Sequence, residues 1–122
     1  MKVTVRLDNK VIKGLQNAAK SAACDTLEQV YTKLVSSKTM PFDTGDMQNN
    51  QTFVVFNLDS NSAVLITNSP QARRLYYHPE YNFQRGKNVK AGAYWLEPYI
   101  TGDKKDFIRD KYTELFRKRA GL

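Results

Sequence analysis

Histidine and cysteine are almost missing from this sequence of 122 residues, which has one of each, His78 and Cys24. A single cysteine excludes an internal disulfide and fits synthesis in a reducing, intracellular place. Its neighbours Ala22, Ala23 and Leu27 mark it as a small core side chain rather than a reactive thiol. One histidine and one cysteine cannot build a clustered metal site. Asp43 and Asp46 lie close together, but a calcium loop takes more oxygen ligands at regular spacing. No metal and no cofactor are therefore expected. Long apolar runs are also missing: nothing approaches the roughly 18 consecutive apolar residues that span a bilayer. The N-terminus alternates Val3, Val5 and Leu7 with Lys2, Thr4 and Arg6, unlike the continuous apolar block of a signal peptide. A mature protein with no membrane partner is expected. There is no glycine-rich phosphate loop, no nucleophile elbow, no internal repeat and no low-complexity tract.

What the chain does have is positive charge, unevenly placed. Residues 1–61 carry seven basic and six acidic side chains, and residues 62–122 carry twelve and six, so nearly all of the net +7 lies in the second half. Such asymmetry points to an acidic partner, nucleic acid included, or to a solvated basic helix face.

The length suits one domain, residues 1–122, with one modest core. Residues 2–7 alternate with period two and read as a short strand. Asp8 is a plausible N-cap for a helix over 9–36, where Ile12, Leu15, Ala19, Ala22, Ala23, Val30 and Leu34 recur at three- and four-residue steps. Residues 51–58 and 62–68 are β-branched and aromatic around the turn formers Asp59, Ser60 and Asn61, the pattern of an antiparallel hairpin. Ser69 and Pro70 read as the N-cap and first position of a short helix over about 70–77. Asp103 reads as the cap of a last helix over about 103–119, with Phe107, Ile108, Tyr112, Leu115 and Phe116 as its buried stripe. Acidic residues near its start and Arg117, Lys118 and Arg119 near its end suit the helix dipole. Long loops are expected at about 37–50 and 78–92. The expected class is α+β: a long N-terminal helix, a small, mostly antiparallel sheet of about 3–4 strands, a short middle helix and a C-terminal helix.

Two features bear on function. Arg73, Arg74, Tyr76, Tyr77 and His78 form the one cluster able to clamp a phosphate and move a proton, as in small basic toxin-type ribonucleases, although no second histidine or carboxylate is placed beside it by sequence. Seven of the 14 aromatic residues, from Tyr76 to Tyr99, fall within 24 positions. Aromatics interleaved with Arg and Lys either stack nucleic-acid bases or anchor protein interfaces. Trp95, Leu96 and Ile100 read as core, and Tyr81, Phe83 and Arg85 as interface.

Three segments resemble a known family. Pro41-Phe42-Asp43-Thr44-Gly45-Asp46-Met47 is similar to the "proline, Asp-Thr-Gly, hydrophobic" segment of siphophage minor capsid and tail-completion proteins. Thr67 to Tyr77 resembles that family's strand running into a short "Pro-Tyr-Ala" helix, with Gln71 where the family usually has Tyr. Tyr81-Asn82-Phe83 followed by Ala93 to Tyr99 resembles its aromatic loop and "Ala-x-x-Trp-x-Glu" segment. The resemblance spans roughly residues 41–122. It implies a non-enzymatic component of a tailed-bacteriophage virion, made in the bacterial host cytoplasm. Such a subunit joins head and tail in the neck, as part of a hexameric ring around the DNA channel. Its partners would be other neck, portal-associated or tail proteins, with DNA passing without sequence-specific binding. In that picture the subunit would be a monomer when isolated. Loops 37–50 and 78–92 would be ordered by neighbours. One contact patch would hold Arg73, Arg74, Tyr77, Tyr81, Phe83 and Arg85, and the sheet edge or first helix would form the other. Asp43, Thr44 and Gly45 would form a structural turn. The alternative is a small basic nucleic-acid-binding protein or ribonuclease.

Overall fold

A computed structural model describes residues 1–41, 46–83 and 85–122. The chain is α+β. Helix α1 spans Asn9–Ser37, α2 Asp46–Asn49, β1 Thr52–Asn57, β2 Ser62–Thr67, α3 Ala72–Tyr76, α4 Glu97–Ile100 and α5 Phe107–Ala120. Asp8 caps α1 as expected, accepting from the backbone N–H of Lys10 at 3.0 Å and of Val11 at 3.3 Å. At the other end Lys38 takes the left-handed conformation and returns its N–H to the carbonyl of Val35.

The buried face of α1 is the row Ala18, Ala22, Thr26, Val30 and Leu34, one residue every four. Small side chains in its first half let neighbouring elements come close. Thr26 satisfies its hydroxyl inside the helix by donating to the carbonyl of Ala22. The hydrophobic core forms at the C-terminal half, where Val30 and Leu34 meet Met40, Met47, Ala72, Trp95 and Tyr99. Leu65 of β2 and Phe107 and Ile108 of α5 pack against it. Helix α5 lies along α1, and Arg119 near its end pairs with Asp25.

Among the described residues the sheet has two strands rather than the expected three or four, with β1 and β2 antiparallel and Thr52 opposite Thr67. Residues 2–7 carry the alternation of a strand, yet they join no ladder, and Val3, Val5 and Leu7 lie in solvent. Residues 97–100, after the aromatic segment, turn into α4 because Pro98 is accommodated in a first helical turn. Thr52, Val54, Phe56, Ala63, Leu65 and Thr67 share the face toward α1. Phe53, Val55, Val64 and Ile66 share the opposite face.

Two boundaries shift for local reasons. Ser69 does not cap α3. Its hydroxyl is buried without a partner among the described residues, and its carbonyl instead accepts from Ala72 in a preceding turn. Asp103 does not cap α5 either, since residues 101–106 wind as turns and the helix starts at Phe107. Gly102 governs that detour: an added Cβ would stand 2.7 Å from the backbone Cα of Pro98. The expected stripe of α5 faces inward, but all five of its residues remain half-buried.

The expected loops are docked on each other. Lys90 N–H donates to the carbonyl of Lys38 and Gly92 N–H to that of Thr39. The buried Asn88 carboxamide donates to the carbonyl of Met40 at 2.8 Å and to Gln48 Oε1 at 2.7 Å. The first loop also contains α2, whose Gln48 carbonyl accepts from the Tyr31 hydroxyl. Among the described residues, no helix is long and apolar enough to cross a membrane.

Two substitutions test these constraints. Asn88→Ala leaves two buried acceptors unpaired and is expected to cost about 2 kcal/mol in denaturant unfolding. Gly102→Ala forces backbone against backbone and is expected to cost ~1–3 kcal/mol. Gly86→Ala, which meets nothing within 4 Å among the described residues, is expected to stay within about 1 kcal/mol of the parent. Equal losses at both glycines would contradict the close approach at Pro98.

Candidate functional site

Helix α3 is short because Tyr77 leaves helical geometry, and five residues suffice to set its two sides apart. Ala72 and Leu75 turn inward, while Arg73, Arg74 and Tyr77 are exposed. Tyr76 is half-buried and organises the aromatic residues behind the patch. Its ring meets those of Tyr77, Tyr94 and Trp95 edge-on, with centroids 5.1, 5.6 and 4.8 Å away. The Tyr76 backbone carbonyl accepts from Tyr94 N–H, and its hydroxyl donates to Glu97 Oε1 at 3.2 Å. The other carboxylate oxygen of Glu97 accepts from Thr101. A tyrosine and a threonine thus hold one carboxylate and pin the 94–101 segment under α3.

Partial burial, reinforced by the Glu97 charge, pushes the Tyr76 hydroxyl up to about 12. Burial also raises the Tyr99 hydroxyl, and the charge of Asp103 adds to the effect. Neither Tyr99 Oη nor Trp95 Nε1 has a hydrogen-bond partner among the described residues.

Beyond α3 the chain stacks His78 on Tyr81, nearly parallel at 4.7 Å. His78 Nδ1 lies 2.6 Å from Glu80 Oε1, and this hydrogen bond holds the Glu80 carboxyl below its ordinary range. An open cleft of about 510 Å³ runs between Pro70, Arg73, Arg74, Tyr77 and His78. A second depression of about 500 Å³ shares Arg73 and Tyr77 and reaches Trp95 and Glu97. Among the described residues neither Arg73 nor Arg74 is paired with a carboxylate.

The structure therefore brings Arg73, Arg74 and Tyr77 together with His78 on one surface, and Tyr81 joins them through its stack. Phe83 is half-buried, and Arg85 donates its Nε to the carbonyl of Ala91, closing its own loop. Asp43, Thr44 and Gly45 lie outside the described residues. Sequence reasoning missed Glu80 and Glu97. A carboxylate two positions past the only histidine was a usable signal for the first, whereas the pairing of Glu97 with Tyr76, 21 positions earlier, had none. Among the described residues no group of three or more histidine, cysteine or carboxylate side chains could hold a metal ion. Comparison with protein-family models, with curated proteins and with solved structures finds no match to this chain.

The surface can do two things chemically. Two unpaired guanidiniums and an exposed tyrosine ring can take up anionic groups and flat apolar ones. The His78–Glu80 pair can hold or pass a proton.

The elevated Tyr76 hydroxyl has a pH signature. A hydroxyl raised in the folded state contributes stability that is complete below its unfolded value near 10. That contribution is lost as pH climbs toward about 12. Ultraviolet titration of the tyrosinates should show a late-ionising group, which Glu97→Gln moves back toward the ordinary range. An unchanged titration curve in that variant would contradict the Glu97 contact.

Proposed function

We propose that this chain is a structural component of a tailed-phage virion neck rather than an enzyme. In this reading it is one subunit of a hexameric ring around the DNA channel, joining head and tail among other neck, portal-associated or tail proteins. The three resembling segments support the reading by their order along residues 41–122. The observation that carries it is the outer sheet face of Phe53, Val55, Val64 and Ile66. A solvated antiparallel sheet alternates apolar and polar faces. This one is apolar on both, although Phe53, Val55 and Val64 are exposed. A 122-residue chain with that face open and a separate basic aromatic patch at α3 has the two unlike surfaces of a head-to-tail assembly. In the ring, Arg117 and Lys118 of α5 face outward or meet acidic subunits, and Arg119 keeps its pair with Asp25, so that the lumen does not grip DNA.

The second reading, a nucleic-acid-binding protein or ribonuclease, is favoured by one observation. The His78–Glu80 pair stands beside two unpaired arginines at an open cleft.

Light scattering across concentration and salt, with short duplex DNA and RNA added, separates the two. The neck reading expects a mass that ignores nucleic acid, intact RNA, and incorporation into virion assemblies that survives His78→Ala. Binding that weakens steeply with salt, or RNA cleavage abolished by His78→Ala, would replace it with the second reading.

A further inference from the structure

The N-terminal arm has strand character without a sheet, and the β1 edge of the hairpin has no strand bonded to it among the described residues. We propose that residues 2–7 of one copy add as a third strand to the β1 edge of a second copy. The start of that arm's α1 then lies over the second copy's outer sheet face.

Chain length excludes the same pairing within one molecule. Lys20 Nζ lies over the Phe56 ring, 4.8 Å from its centroid, and Ala23 shares a groove with Ala63. The turn end of the hairpin is therefore level with residues 20–23 of α1. At 1.5 Å per residue, Asn9 stands roughly 16–21 Å further along the helix axis. An extended chain covers about 3.3 Å per residue, so five or six residues before Asn9 are consumed in returning to the hairpin. That leaves no more than the first residues beside β1, whereas the strand pattern runs to Leu7. Residues 9–17 add a rigid spacer: none is buried, and the first buried residue of α1 is Ala18.

The two surfaces match in backbone, length and side chains. The Asn68 N–H to Gln51 carbonyl bond sets the phase of the ladder, which turns the N–H and C=O groups of Thr52, Val54 and Phe56 outward on β1. Among the described residues no backbone group bonds to Val54 or Phe56 from that side. The β2 side is different, because Ala63 shares its groove with Ile108 and Tyr112 of α5. Arm and edge are each six residues long. Once the strand is added, Asp8 ends it by capping α1, and the exposed Val11 and Leu15, one turn apart, are carried onto Phe53, Val55, Val64 and Ile66. The hairpin then has three strands with a helix on each face, which suits a sheet that two strands alone barely stabilise. Donor and acceptor are different surfaces, so the contact can repeat head to tail, closing as a ring where the rotation between copies allows it. It rests on the ring proposed above only in needing further copies of the chain.

Sedimentation of the full chain across concentration is the first test, with Val3→Asp/Val5→Asp and Val55→Asp as variants. These positions are exposed in the single chain, so circular dichroism should be unchanged while the oligomer is lost. Trapping supplies a second readout in a Cys24→Ser background. Mild oxidation of a mixture of Val5→Cys chains and Val55→Cys chains should give the mixed disulfide. A parent that stays monomeric at every concentration overturns the arm contact and leaves the neck reading to co-assembly with virion proteins. An oligomer that persists in the arm variants, without the mixed disulfide, also overturns the contact while the ring survives through another surface.

Discussion

One buried carboxamide ties the segment around Asn88 to Met40 and to helix α2. Asn88 reaches the carbonyl of Met40 and the side chain of Gln48 in a region from which water is excluded. A donor there is worth more than its net hydrogen-bond energy, because each acceptor it leaves would stay buried and unpaired. The backbone bonds from Lys90 to Lys38 and from Gly92 to Thr39 flank it, and Ala91 between them is fully buried. Fixing this segment brings Trp95 onto the core and sets Tyr94 behind Tyr76. The exposed patch at α3 is thus held by contacts that lie on its far side.

The fold was legible where the signal was local. Asp8 is read from adjacent positions, and so is the hairpin, whose turn is closed by Asn57 Oδ1 accepting from Asp59 and Ser60. Of the stripe expected on α1, only Ala22, Val30 and Leu34 are buried, with Ala18 and Thr26 completing the row and Leu15 exposed. Legibility failed where a local preference did not decide the structure. Residues 2–7 alternate as a strand does but join no ladder among the described residues. Ser69 and Asp103 have the chemistry of helix caps, yet one is drawn into the interior and the other into the turns that Gly102 permits against Pro98. Helix α2 is one turn inside a segment rich in turn formers, too short to leave a periodic trace.

The candidate site divides the same way. Arg73, Arg74, Tyr77 and His78 are neighbours in sequence, and one helical turn is enough to present them together. Their support is not local: Glu97 lies 21 positions beyond Tyr76. A loop asparagine such as Asn88 looks like any solvated polar residue until the 48 positions separating it from Met40 are closed.

The packing of α5 along α1 also dictates an order of events during folding. Arg119 meets Asp25 across 94 positions, and Phe107 and Ile108 complete the layer over Leu27 and Val30. Helix α1 leaves the ribosome before α5 and keeps that flank bare until α5 has emerged. Contacts of such long sequence separation slow folding, because the entropy of closing the loop is lost before any packing is gained. A nascent chain stalled before residue 107 would expose the flank and be a natural target for chaperones.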